Sequence, residues 1–207
     1  MLDRSMPTRE RLVVAIGELL RRQGYGATTV KQLTEAAGAT MGSLYHHFPG
    51  GKPEVAAAAL RSSGAAYLAL LPALLDGAPD LDDAIPGAFA LAAEHIAEAG
   101  WITMCPVGTV AGEVADSEPE VAAAAAEVFA DWIAGGTAYF AARGLEDAAA
   151  RELTLAVLSS LEGAFILARS LRSPDPLLAA GSALREHVRR VATGTPGRAE
   201  HGAAGTA

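Results

Sequence analysis

One cysteine, Cys105, stands in 207 residues. No intramolecular disulfide framework is available, and the chain fits a reducing compartment better than a small secreted scaffold. Rings are scarce too, with two Trp, four Tyr and five Phe making up 5% of the sequence. Alternating runs of β-branched and aromatic residues are missing, which removes the signal for sheet. The alanine-rich stretches are broken by Glu, Asp or Arg before an unbroken apolar run reaches the roughly 18 residues needed to span a bilayer. The opening MLDRSMPTRERLV holds no apolar segment of the secretory kind. There is no Gly-rich phosphate loop, no Gly-x-Ser-x-Gly elbow and no Cys-x-x-Cys pair, so the common catalytic frameworks find no foothold. These absences predict a soluble, cytoplasmic protein without membrane association, cofactor, metal or catalytic residues.

What is present is hydrophobic residue content of 51%, ample for a buried core. Much of it is alanine, a strong helix former that adds little side-chain volume. An all-α fold follows. The net charge of −8 is unevenly spread. Residues 1–52 hold seven Lys and Arg against four acids, a net of +3, while the remainder holds nine against twenty, a net of −11. A basic head on an acidic body suits a protein that meets phosphates at one end only.

Three short helices can be read in that head. Leu12, Val13, Ile16, Leu19 and Leu20 form one apolar stripe. Thr8 is expected to cap its start and Gly24 to end it. Thr29 followed by Gln32 is a capping box that opens a second helix, and Gly38 closes it. A third begins near Thr40 with Leu44 and Phe48 turned inward. Two short helices across a tight glycine-containing turn make a helix-turn-helix, whose second member enters the major groove of DNA. Its outward face carries Thr40, Met41, Ser43, His46 and His47, with Tyr45 at the edge and Gly42 allowing close backbone approach. Hydroxyls and imidazoles bond phosphates and base edges. His46 and His47 are sequence neighbours pointing about 100° apart on a helix, so they do not share a metal ion. Pro49-Gly50-Gly51 stops the helix before Lys52.

The run TTVKQLTEAAGATMGSLYHHFPGGKPEV resembles the DNA-binding domain of the TetR family, and the likeness extends over about residues 8–60. The resemblance implies that Thr29 and Lys52 contact phosphates. It places Gly42, Ser43, Tyr45, His46 and His47 at the groove, to which the outward face of the helix adds Thr40. The glycine pair before Lys52 departs from the shorter or more polar turn of many relatives.

The expected division is a helix-turn-helix domain over 1–52, a ligand-binding and dimerisation bundle over 53–192, and a disordered tail over 193–207. The bundle reads as helices over 53–75, 81–100, 118–143, 146–171 and 174–192, with one short helix in the Gly- and Pro-rich segment 101–119. Phe89, Trp101, Met104, Phe129, Trp132 and Phe165 concentrate the large apolar side chains of this half. They are the candidate lining of a ligand pocket, with Glu94, Glu98 and Glu113 as acidic partners. The runs CPVGTVAGEVADSEPEV and EGAFILARSLRSPDPL are similar to the C-terminal domain of the LmrA/YxaF-type branch of the same family. That likeness implies a repressor released from DNA by a small-molecule effector. The penultimate helix carries Leu153, Leu155, Leu158, Leu161, Phe165 and Ile166 on more than one face. Together with a last-helix stripe of Leu177, Leu184, Val188 and Val191, it is expected to build a homodimer that binds a pseudopalindromic operator in double-stranded DNA. The alternative reading is a helical enzyme with chemistry near Cys105 and His95.

Overall fold

The computed structural model describes residues 5–192, and among them there are nine helices and no strand. They are α1 (Thr8–Gln23), α2 (Val30–Ala37), α3 (Met41–His47), α4 (Lys52–Leu75), α5 (Leu81–Glu98), α6 (Pro106–Val114), α7 (Pro119–Ala141), α8 (Asp147–Leu171) and α9 (Asp175–Ala192). The chain is all-α, as expected. The tail expected over 193–207 lies outside the described residues.

The start of α1 differs from the expectation. Pro7, not Thr8, occupies the cap position, and no side chain caps there. Thr8 is already helical, and its hydroxyl accepts from Arg11 Nη2 at 3.3 Å. The fixed φ of proline leads the chain into the helix without a capping hydroxyl. The short helix foreseen in 101–119 is α6. Pro106 is its first residue, and Cys105 Sγ accepts from the Gly108 N–H at 3.4 Å.

The core forms two clusters. The first runs from Leu12, Ile16 and Leu20 of α1 through Leu33, Leu44 and Phe48 into Val55 and Leu60 of α4, Val107 and Val110 of α6, and Val128 and Trp132 of α7. The second joins Phe89 and Ile96 of α5 to Phe140, Leu153, Leu177, Leu184 and Val188. Each large apolar side chain withdrawn from water contributes about 1.5–3 kcal/mol. Because the first cluster crosses from the head into α4, α6 and α7, the apolar core does not break at residue 52.

The α4–α7 crossing is close. Trp132 Nε1 donates to the Gly64 carbonyl at 2.8 Å, and a Cβ built on Gly64 would lie 2.4 Å from Val128 Cγ1. By length and composition α4 and α8 are both apolar enough to cross a membrane. A count of unbroken apolar runs does not register this, because charges such as Arg61 and Glu162 interrupt them. In the fold α4 packs on α7, and α8 lies against α7 and α9.

The apolar stripe of α9 corrects an expectation. Leu177, Leu184 and Val188 are buried within the chain, where α9 lies along α5, so they do not offer an interface. On α8 and α9 the large apolar side chains left exposed are instead Leu155, Ile166, Leu167 and Leu171 of α8 and Leu178 of α9.

Candidate nucleic-acid interface and effector region

The capping box that opens α2 is formed in both directions. Thr29 Oγ1 accepts from the Gln32 N–H at 3.2 Å, and Gln32 Oε1 accepts from the Thr29 N–H at 2.9 Å. Gly38 ends α2 at φ 58°, ψ 40°, a left-handed turn that glycine adopts without strain. Two residues later Thr40 caps α3, its Oγ1 accepting from the Ser43 N–H and donating to Ser43 Oγ, both at 3.1 Å. Leu44 and Phe48 are both buried, which turns the opposite face outward. On that face Thr40, Met41, Gly42, Tyr45 and His46 are exposed, while Ser43 and His47 are half-buried. The His46 and His47 rings meet edge to face with centroids 5.0 Å apart.

Lys52 sits elsewhere. Its Nζ donates to the Tyr25 carbonyl at 2.8 Å and lies 3.8 Å from the centroid of the Tyr25 ring. Burial lowers its pKa, against the pull of Glu118 and Glu113 upward. An ammonium has three donors, and the Tyr25 carbonyl takes one.

Other head cations are engaged within the fold. Arg11 donates to the carbonyls of Ala37 and Met6 at 3.0 and 2.7 Å, tying α1 to the end of α2. Arg21 and Arg22 pair with Glu18 at 3.3 and 2.6 Å. The side chain of Lys31 on α2 is 84% exposed, with Glu35 at 3.9 Å. The exposed Arg9 lies over the Phe48 ring at 5.0 Å. Neither was singled out from the sequence as a phosphate ligand. The visible signal was proximity: Lys31 lies two residues beyond the capping threonine.

The six residues chosen for a ligand pocket do not come together as one group. Phe129 and Trp132 meet edge to face at 5.6 Å, and Tyr67 of α4 continues the series at 6.2 Å. Phe89, Trp101 and Phe165 belong to the second cluster, and Met104 is half-buried beside the end of α1, its N–H donating to the Arg21 carbonyl at 3.2 Å. Two open surface grooves, of about 640 and 610 Å³, are lined by none of the six. One is an open groove on α7 reaching Asp147 and Arg151; the other lies between α1 and α4.

Sequence spacing did not suggest the polar group beside the Tyr67–Trp132–Phe129 series. Burial pushes the Glu162 carboxyl up, an effect that hydrogen bonding to Cys105 opposes. The Cys105 thiol is driven up by burial and by the charge of Glu162, and the Tyr67 phenol is raised chiefly by burial. A thiol held protonated is the reverse of an activated nucleophile. His95, with Glu94 and Glu98, is exposed on α5. Glu113 turns toward the head, where its Oε2 accepts from the N–H groups of Tyr25 and Gly26, both at 2.8 Å.

Residues 12–67 match the family model of bacterial regulatory proteins of the tetR family. Residues 83–183 match the model of the C-terminal domain of LmrA/YxaF-like transcriptional regulators. An uncharacterized HTH-type transcriptional regulator of Mycobacterium tuberculosis is 32% identical over 174 residues, covering 82% of this chain and 88% of that protein. The HTH-type regulator YxaF of Bacillus subtilis is 30% identical over 171 residues, 83% of this chain and 90% of that one. The crystal structure of a TetR regulatory protein from Rhodobacter sphaeroides superposes with a TM-score of 0.75 at 26% identity, over 87% of this chain and 98% of that one. A capped helix pair presenting a polar second helix, joined to a bundle of this branch, therefore has a family: the chain belongs to the TetR family of DNA-binding transcriptional regulators, with a C-terminal domain of the LmrA/YxaF-like kind.

Proposed function

We propose that the protein is a dimeric repressor that binds a pseudopalindromic operator and is released by a small, largely apolar molecule. The observation that carries the reading is α3: capped by Thr40, anchored by Leu44 and Phe48, and exposed along Thr40, Gly42, Tyr45 and His46. Ser43, His46 and His47 read base edges, with Tyr45 beside them. Thr29, Lys31, Arg9 and the remaining donors of Lys52 meet phosphates. Two heads related by a two-fold axis engage half-sites about one helical turn apart, roughly 34–36 Å. The exposed apolar residues of α8 and Leu178 of α9 form the dimer surface, since a patch of this kind on a soluble chain marks an interface. The protein works where its DNA is, in the cytoplasm.

The effector lies among Tyr67, Phe129 and Trp132, with Trp101, Met104, Phe89 and Phe165 farther along the bundle, and Glu162 supplies its polar contact. A carboxyl whose pKa is raised by burial, set beside rings, favours an uncharged or weakly cationic, partly aromatic molecule. Selection from a random-sequence DNA pool, followed by gel shift, tests the operator reading. The expected result is one enriched palindromic motif whose binding falls steeply with salt as counterions are released. Recovery of no enriched motif at low salt overturns it.

A further inference from the structure

Glu162 of α8 reaches across to the first turn of α6. A Cβ on Gly108 would stand 2.0 Å from Glu162 Oε2, so the carboxyl occupies space that this glycine leaves open. The Cys105 thiol donates to it and is the one ionisable group among the described residues that acts on it directly. No Lys, Arg or His among those residues pairs with it. The Gly108 N–H beside it is already given to Cys105 Sγ at 3.4 Å.

The surrounding elements supply rings and little else that ionises. The Tyr67 phenol comes from α4. The rings of Phe129 and Trp132 come from α7, with the indole N–H committed to the Gly64 carbonyl. Arg21 and Glu18 of α1 act on the Tyr67 phenol, but they pair with each other at 3.3 Å. Tyr67 is 39% exposed, so the ring series opens toward solvent at that end. A carboxyl withdrawn from water without a cation is costly when charged, and burial favours its neutral form. Ring faces attract cations. One positive charge would satisfy both the carboxyl and the rings.

We propose that Glu162 recognises an organic cation on a flat aromatic skeleton, walled by Tyr67, Phe129 and Trp132, and that the cation enters as the carboxyl's proton leaves. The proposal takes its place in the fold from the effector reading above and commits that reading to one ligand class. The exchange is one for one: a positive charge binds, Glu162 becomes its carboxylate, and the proton passes to solvent. Cation affinity therefore rises with pH until the carboxyl ionises unaided, whereas an uncharged molecule of the same shape gains nothing.

Calorimetric titration of the full-length protein uses two matched pairs, proflavine with acridone and tryptamine with tryptophol, the first of each cationic and the second uncharged. Near neutral pH, wild type binds the cation of at least one pair about tenfold or more tightly than its uncharged twin. That cation's affinity rises about threefold or more between about pH 5 and pH 8, with proton release, while the twin's profile stays flat. Glu162→Gln erases both the preference and the slope; should that variant fail to fold, the wild-type profile decides alone. Equal binding of the twins, a flat cation profile, a preference that survives in Glu162→Gln, or no binding of either cation overturns the proposal. A gel shift with the cation present separates the two readings. Release of the operator supports both, and cation binding with these marks but without release upholds the proposal while overturning the effector reading.

Discussion

At the scale of single residues, the roles assigned to Lys52 and Ser43 are separable. Phosphate contacts carry no base information, and base-edge contacts do. Ser43→Ala and His46→Ala are expected to lower operator affinity by about 1–3 kcal/mol and to leave random-DNA binding nearly unchanged. Lys52→Ala is expected to weaken both, flatten the salt slope and lower the unfolding midpoint, because Lys52 also holds the Tyr25 carbonyl. Gel shift at several salt concentrations with a parallel thermal melt reads all of these. Equal losses on both DNAs for Ser43→Ala would remove it from the groove. Gly64→Ala tests packing alone. A methyl 2.4 Å from Val128 Cγ1 has no room, and overpacking of this sort costs about 1–3 kcal/mol. Urea unfolding measures it, and an unchanged midpoint would show that α4 and α7 can move apart.

Glu162 belongs to the same scale and brings pH into the account. Its folded-state pKa is raised by burial, so the folded chain binds the proton more tightly than the unfolded chain does. Stability then declines as pH rises from the ordinary glutamate range through the elevated value, because ionising the buried carboxyl is costly. Glu162→Gln, neutral at every pH, is expected to flatten that decline and to be the more stable form above the window. Urea midpoints of both proteins from pH 4 to pH 8, spanning the ordinary glutamate value of about 4.3, supply the comparison. Parallel curves would exclude a buried, elevated carboxyl at this site.

At the scale of elements, the head was legible before its coordinates. The Thr29–Gln32 pair, Gly38 and the Leu44–Phe48 spacing act locally, and the capping box and left-handed turn they foretold are formed. The helices of the bundle were legible for the same reason, since periodicity and Gly or Pro boundaries need no partner. Partners were another matter. The stripe of Leu177, Leu184 and Val188 is apolar whether it faces α5 or a second subunit, and only the docking of α9 on α5 decides between them. Phe89 and Trp132 are buried rings on separate helices, and the periodicity of each helix is blind to their falling into different clusters. Thr8 failed as a cap because Pro7 starts the helix one residue earlier.

At the scale of the whole molecule, the exposed apolar surface makes its own demand. Leu167 and Leu171 of α8 are 54% and 66% exposed, one helical turn apart. If that face joins two copies, Leu167→Glu with Leu171→Glu is expected to give a folded monomer by sedimentation. Operator affinity should then fall by about tenfold or more, because one head grips only one half-site. A double variant that still sediments as a dimer would move the interface elsewhere. The charge division has the same scope. The head carries the basic excess, yet Arg11, Arg21 and Arg22 are paired within the chain, and Lys31 and Arg9, like Arg22, remain toward solvent.

By itself the sequence determined the helical character of the chain, the capped helix pair with its polar second helix, and the family these residues resemble. All of these rest on interactions within a few residues or one helical turn. Tertiary structure alone decided which apolar stripes became core, which acids became structural, and how the body reaches the head. Glu113 shows why. Nothing within its own helix distinguishes it from Glu94 or Glu98, and its role exists only because folding brings two backbone N–H groups, some 87 residues away, within 2.8 Å of its carboxylate.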